Sequence, residues 1–187
     1  MKGSRGMKKQ MKKEAFDDSQ VDPKQFARSM KEVSDKLLKQ GLPAKDAFGM
    51  SNQLLEGMYA QAYRLYNTGK YVEATHLFRL LILLDPIEAK YVLGLAACFH
   101  MLKEYKNAVQ TYTMCAILDP KSPIPHYHSS DCFIQIKEYV SAMVCLELAI
   151  KKAGDQPEYA KMKERAILSL ESIKTQLQAE SSNKESA

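Results

Sequence analysis

Ten tyrosines, four cysteines and four histidines carry most of the chemistry open to this chain, and their spacing decides which chemistry that is. Cys98, Cys115, Cys132 and Cys145 form no C-x-x-C pair, so they fit neither a zinc ligand set nor a dithiol motif. They read as small apolar residues of a reducing compartment. His126 and His128 stand two apart, a spacing that sends them to different sides of a helix and makes a poor metal pair. No glycine-rich phosphate loop, nucleophile elbow or H-E-x-x-H occurs, and no enzyme, cofactor or metal is expected. What remains is recognition. Tyr59, Tyr63 and Tyr66, spaced four and three apart, form one aromatic stripe along a helix face. Each phenol can bury roughly 150–250 Å² against a partner while its hydroxyl stays hydrogen-bonded or wet.

The elements that must position this stripe repeat every 34 residues. Tyr71, Tyr105 and Tyr139 are in register, as are Ala74, Ala108 and Ala142, and Asp85-Pro86 returns as Asp119-Pro120. Leu65, Phe99 and Phe133 make a further rung, and Phe78, Tyr112 and Leu146 another. The blocks GKYVEA (69–74), KEYKNA (103–108) and KEYVSA (137–142) each separate two stretches of helical apolar periodicity, so each is the turn of a helix pair. A period of 34 is similar to the tetratricopeptide repeat. The alanines sit where two helices cross closely, and proline ends each pair by removing a donor. Helices are expected over 52–68, 71–84, 87–102, 105–118, 122–136 and 139–153, with 158–178 closing the open end of the stack.

In such repeats the first helix of each pair lines a concave face. The tyrosine positions recur one period on as Leu93, Ala97 and His100, then as Tyr127, Asp131 and Ile134. The core of the first helix is expected to come from Met58, Ala62 and Leu65, which leaves the tyrosines on the other face. A clamp for a C-terminal carboxylate would need Lys and Asn where Tyr59 and Tyr63 stand. An extended segment with apolar anchors suits this lining better.

The ends differ from the middle. The first thirteen residues hold six of the 27 basic side chains and none of the 22 acids, so the other 174 residues are nearly neutral despite a net charge of +5. Residues 1–21 are expected to be a basic, disordered leader. Contact of that leader with nucleic acid or anionic lipid is the rival reading, and Met7 and Met11 leave the start codon open. No apolar run reaches eighteen residues, and no secretory signal peptide is recognisable. Asp22-Pro23 opens an amphipathic helix in which Phe26, Met30, Val33 and Leu37 recur at helical spacing until Gly41. Its stripe must cover the first repeat or a second subunit, so residues 22–50 are a candidate dimerisation region. Ser51 is a plausible cap for the first repeat helix. The repeats occupy 51–154, the closing helix 155–179, and a disordered tail is expected over 180–187.

The sequence thus specifies an all-α solenoid of three helix-turn-helix repeats between an N-terminal amphipathic helix and a C-terminal capping helix. The run from 65 to 133 resembles the class II chaperones of bacterial type III secretion, the low-calcium-response protein H family. The GKY turn, the stretch LGLAAC (93–98) and the H-x-x-D-C segment (128–132) carry the likeness, which spans about 22–155. The resemblance implies a small cytoplasmic bacterial chaperone that holds hydrophobic translocator proteins before export. In it an extended translocator segment would lie in the concave groove over Tyr59, Tyr63 and Tyr66. It also implies dimerisation through the N-terminal helix. A general repeat scaffold joining two soluble proteins, or a secretion-linked regulator, is the alternative.

Overall fold

The computed structural model describes residues 22–185. The basic leader and its nucleic-acid or lipid reading lie outside the described residues, as do the last two positions of the tail. Helix α1 (Pro23–Leu38) starts at Asp22, whose carboxylate accepts from the Lys24 N–H at 3.0 Å. It stops before Gly41, where φ is +64°. One turn, α2 (Ala44–Ala47), follows Pro43, and α3 (Asn52–Asn67) begins at Ser51, whose hydroxyl accepts from the Leu54 N–H at 3.2 Å. Then come α4 (Tyr71–Leu84), α5 (Ala89–Met101), α6 (Tyr105–Leu118), α7 (Ile124–Gln135) and α8 (Tyr139–Ala153). A 3₁₀ turn (Pro157–Tyr159) leads into α9 (Ala160–Glu185). From α3 to α9 each helix packs on the next, as a chain of helix pairs requires. Among the described residues no strand forms, and no helix is long and apolar enough to cross a membrane.

The turn inside each repeat is the same structure three times. Gly69, Lys103 and Lys137, one period apart, have φ of +77°, +61° and +62°. The N–H of Gly69 donates to the Tyr66 carbonyl at 3.0 Å and that of Lys70 to Leu65 at 2.9 Å, and the second and third turns repeat both bonds. This pair of bonds satisfies carbonyls that a helix end would leave orphaned. Two of the three turns place a lysine in a left-handed conformation that disfavours any side chain by about 1 kcal/mol.

Packing follows the register. Ala74, Ala108 and Ala142 are fully buried where paired helices cross, and Phe78, Tyr112 and Leu146 fill the wider spaces. The buried residues fall into two clusters. One runs from Leu55 through Phe78, Leu81 and Tyr91 to Cys132, and the other joins Ala142 and Leu146 to Ala166 and Ile173 of α9. Gly94 is required for a local reason: a Cβ there would strike the ring of Phe78. The N-terminal segment is fastened by Lys45, whose Nζ donates to buried Asp85 Oδ2 at 2.5 Å. That bond raises the lysine's pKa against the effect of burial.

One expectation is corrected at the C-terminus. Residues 180–185 continue α9, where a tail was expected. The segment carries no Gly or Pro, and adding a residue to an existing helix costs far less than starting one.

Candidate functional site

A cavity of about 180 Å³ opens between the first helices of the repeats. Tyr59, Tyr63 and Tyr66 of α3 form one wall, and Lys90, Leu93, Gly94 and Ala97 of α5 form the other. Phe78 of α4 and Tyr112 of α6 also reach it, and Ile124 and His128 of α7 complete its lining. The rings hold one another in place. Tyr59 stacks on Tyr63 with centroids 6.3 Å apart and meets Phe78 edge-on at 6.2 Å, while Tyr66 meets Tyr71 edge-on at 5.5 Å. Tyr63 is 52% exposed, whereas Tyr59 and Tyr66 are half-buried against the core. Burial raises the pKa of both half-buried phenols, so they remain protonated hydrogen-bond donors at neutral pH.

The polar groups lie at two edges. At one, the Lys90 ammonium stands 5.0 Å from the Tyr59 ring centroid and donates to Glu56 Oε1 at 2.5 Å. At the other, His128 stacks on Tyr112 with centroids 5.7 Å apart and brings Nδ1 to 3.8 Å from Asp131 Oδ2. His100 adds a ring 6.3 Å from His128 and 6.4 Å from Tyr112. Burial lowers the His100 pKa, with His128 adding to the effect and Asp131 opposing it, so this imidazole is neutral at pH 7.

The residues expected to line the inner face divide accordingly. Tyr59, Tyr63, Tyr66, Leu93 and Ala97 surround the one cavity, and His100 and Asp131 join its edge through His128. Tyr127 and Ile134 do not line it. Both pack on the cluster that α9 completes with Ala166 and Ile173, because the closing helix lies against the third repeat. The division within α3 is also less clean than expected. Leu55 and Ala62 are its buried residues and Met58 and Leu65 are half-buried, but Tyr59 and Tyr66 lean on that core as well, so Tyr63 alone stands clear.

Sequence reasoning passed over Phe78, Lys90, Gly94, Tyr112, Ile124 and His128. The register held a signal for four of them. Glu56, Lys90 and Ile124 are one period apart, as are Gly94 and His128, and these rows flank the tyrosine row on either side. Phe78 and Tyr112 belong to the core rung and reach the cavity only as its floor.

The cysteines fit no reactive role. Cys98, Cys115 and Cys132 are buried free thiols, and burial pushes them up to about 12, 11 and 12. Among the described residues no cluster of three His, Cys, Asp or Glu side chains could hold a metal ion. On α1, Met30 is exposed and Val33 and Leu37 are half-buried; the side chain of Phe26 lies outside the described part. Leu37, Leu42, Phe48, Leu83 and Ile87 border an apolar recess of about 610 Å³ at that end.

Helix pairs with identical turns, carrying an open aromatic cavity between their first helices, define a tetratricopeptide-repeat binding protein. The tetratricopeptide-repeat family matches residues 55–86 and 89–121. The low calcium response locus protein H of Yersinia pseudotuberculosis is 34% identical over 131 residues, covering 70% of this chain and 78% of that protein. The chain belongs to the low-calcium-response protein H family of type III secretion chaperones. Solved structures agree. Yersinia enterocolitica SycD in complex with a peptide of the translocator YopD is 32% identical with a TM-score of 0.66, covering 67% of this chain and 96% of that one. Pseudomonas aeruginosa PcrH in complex with the chaperone-binding region of PopD is 32% identical with a TM-score of 0.67, covering 68% and 96%.

Proposed function

We propose that this chain holds an extended segment of a hydrophobic translocator protein in the cavity between its repeats, keeping that client soluble and export-competent. The observation that carries the reading is the open space beside Tyr59, Tyr63 and Tyr66, in a family whose members SycD and PcrH have been solved with translocator segments. The lining suits such a ligand. Phenol faces and Leu93 accept apolar anchors, and the hydroxyls can bond the backbone of an extended chain without demanding a particular sequence. The relatives are chaperones, and on this reading the work is binding, carried out in the bacterial cytoplasm before export. His100, Asp131 and His128 give the groove a more polar far end.

The test is co-expression of the chain with its translocators. Replacing Tyr63 by alanine, alone and with Tyr59→Ala and Tyr66→Ala, is expected to abolish recovery of soluble client. Thermal melting checks that each variant is folded. Undiminished recovery from a folded triple variant overturns the assignment.

The same reading puts a second copy of the chain against α1, where Met30 is exposed and the neighbouring recess is apolar. SycD has been solved in an alternative dimer. Met30→Glu with Leu37→Glu is expected to give a monomer by light scattering, and an unchanged dimer would exclude this face.

A further inference from the structure

We infer that Lys90 sets client specificity by pairing with a carboxylate that the bound segment carries on one side of its apolar anchor, in exchange for Glu56. The inference rests on the reading of the cavity as the client site and names a requirement on the client's sequence. Among the described residues lining the cavity, Lys90 is the one lysine or arginine. Its ammonium is held over two phenol faces, 5.0 Å from the Tyr59 centroid and 5.5 Å from that of Tyr91. Those faces fix where a matching anion must sit.

The present partner is easily exchanged. Glu56 occupies the equivalent position one repeat earlier and its side chain is 56% exposed, whereas that of Lys90 is 33% exposed. An ion pair with one member this open to water adds little to stability, so replacing Glu56 costs little. Laying an apolar segment over Tyr59 and Leu93 strips more water from the ammonium, and a charge so enclosed needs a partner nearby. A carboxylate on the segment can supply it from inside the groove, where a charge-assisted hydrogen bond is stronger than at the rim. Hydrogen bonding to Glu56 raises the Lys90 pKa, which keeps the ammonium charged throughout the neutral range.

The arrangement also sets direction. The position equivalent to Lys90 in the third repeat is Ile124, and the far edge carries Asp131 beside His128. An acid on the wrong side of the anchor would meet Asp131, so the segment is held one way round.

A positional-scanning library of twelve-residue peptides tests this. Each peptide fixes a central Leu, and each pool sets one other position to Glu, Gln or Lys; binding is read by fluorescence anisotropy. Wild-type protein is expected to bind the Glu pools on one side of the Leu about tenfold more tightly than the matching Gln pools, the gain of one charge-assisted hydrogen bond. Lys90→Gln should level that difference, Lys90→Arg should keep it, and Lys90→Glu should move the preference to Lys pools. Glu56→Gln, which removes the competitor, should widen it. Retention by the Arg variant separates a lost charge from a lost fold. Equal binding of Glu and Gln pools by wild type, or a preference surviving in Lys90→Gln, overturns the role of Lys90 and leaves the groove standing. Failure of every Leu pool to bind removes the groove reading, and this inference with it.

Discussion

The first and third repeats carry half-buried tyrosines at the same register position, yet Tyr59 borders an open cavity and Tyr127 packs on the cluster that the closing helix completes. The local sequence is not what differs most. Each sits on the first helix of its pair and leans on the core cluster nearest to it. What differs is the neighbour. The first repeat is followed by α5, whose Ala97 and Gly94 are too small to fill the space before the tyrosines. The third is followed by α9, whose Ala166 and Ile173 join Ala142 and Leu146 in the cluster on which Tyr127 and Ile134 pack. Cavity lining and helix contact are thus one register position in two surroundings, and the neighbouring helix decides which of the two it becomes.

Substitutions can break or sharpen that contrast. The largest expected effect is in the closed half: Leu146→Ala empties a fully buried site and should lower unfolding free energy by about 2–5 kcal/mol in urea denaturation. A loss below about 1 kcal/mol would show that the cluster under α9 is loose. Next comes the matched pair. Tyr127→Ala is expected to cost about 2 kcal/mol of stability with little change in peptide affinity. Tyr63→Ala, at a 52% exposed position, should leave stability within about 0.5 kcal/mol and weaken binding roughly 30-fold. The reverse pattern would place the groove at the other end of the molecule.

Smaller effects probe the boundary and the frame. Gly94→Ala drives a methyl into the Phe78 ring at the cavity floor, and should cost about 1–2 kcal/mol in stability while reducing affinity. Lys103→Gly relieves a left-handed side-chain conformation and should raise stability by about 0.5 kcal/mol, net of the greater freedom of glycine in the unfolded chain. The smallest effect is electrostatic. Burial holds the folded-state pKa of His100 below its ordinary 6.5, so the unfolded chain takes up that proton first. The contribution is present in full above about pH 6.5 and is lost as pH falls toward the lowered value. His126, shifted the same way by burial and by Lys152, adds to the slope. His100→Gln should flatten the fall in melting temperature between pH 7 and about 5; an unchanged profile would place His100 in open water.

The repeat was legible because its signals are local and recur. A 34-residue period, the alanine crossings and the proline stops place helix ends to within two residues from α3 to α8. The tyrosine stripe was legible for the same reason. What the sequence did not disclose depended on contacts between elements far apart in the chain. The closing helix itself was expected, but not that Tyr127 and Ile134 would pack on the cluster it completes instead of lining the inner face. Nor does Gly94 look different from a tolerated helix glycine until Phe78, sixteen residues earlier, is seen to need the space. Lys90 could have been found from its register with Glu56, but its place over Tyr59 required the packing of two helices.

The repeated turn has a consequence for how this surface can change. Its geometry at Gly69, Lys103 and Lys137 is held by main-chain hydrogen bonds, and none of those residues lines the cavity. The angle between paired helices is therefore written in the backbone, while the choice of ligand is written in side chains elsewhere. Lining residues such as Tyr63, Leu93 and Lys90 can be exchanged one at a time to accept a different cargo without reshaping the frame that presents them.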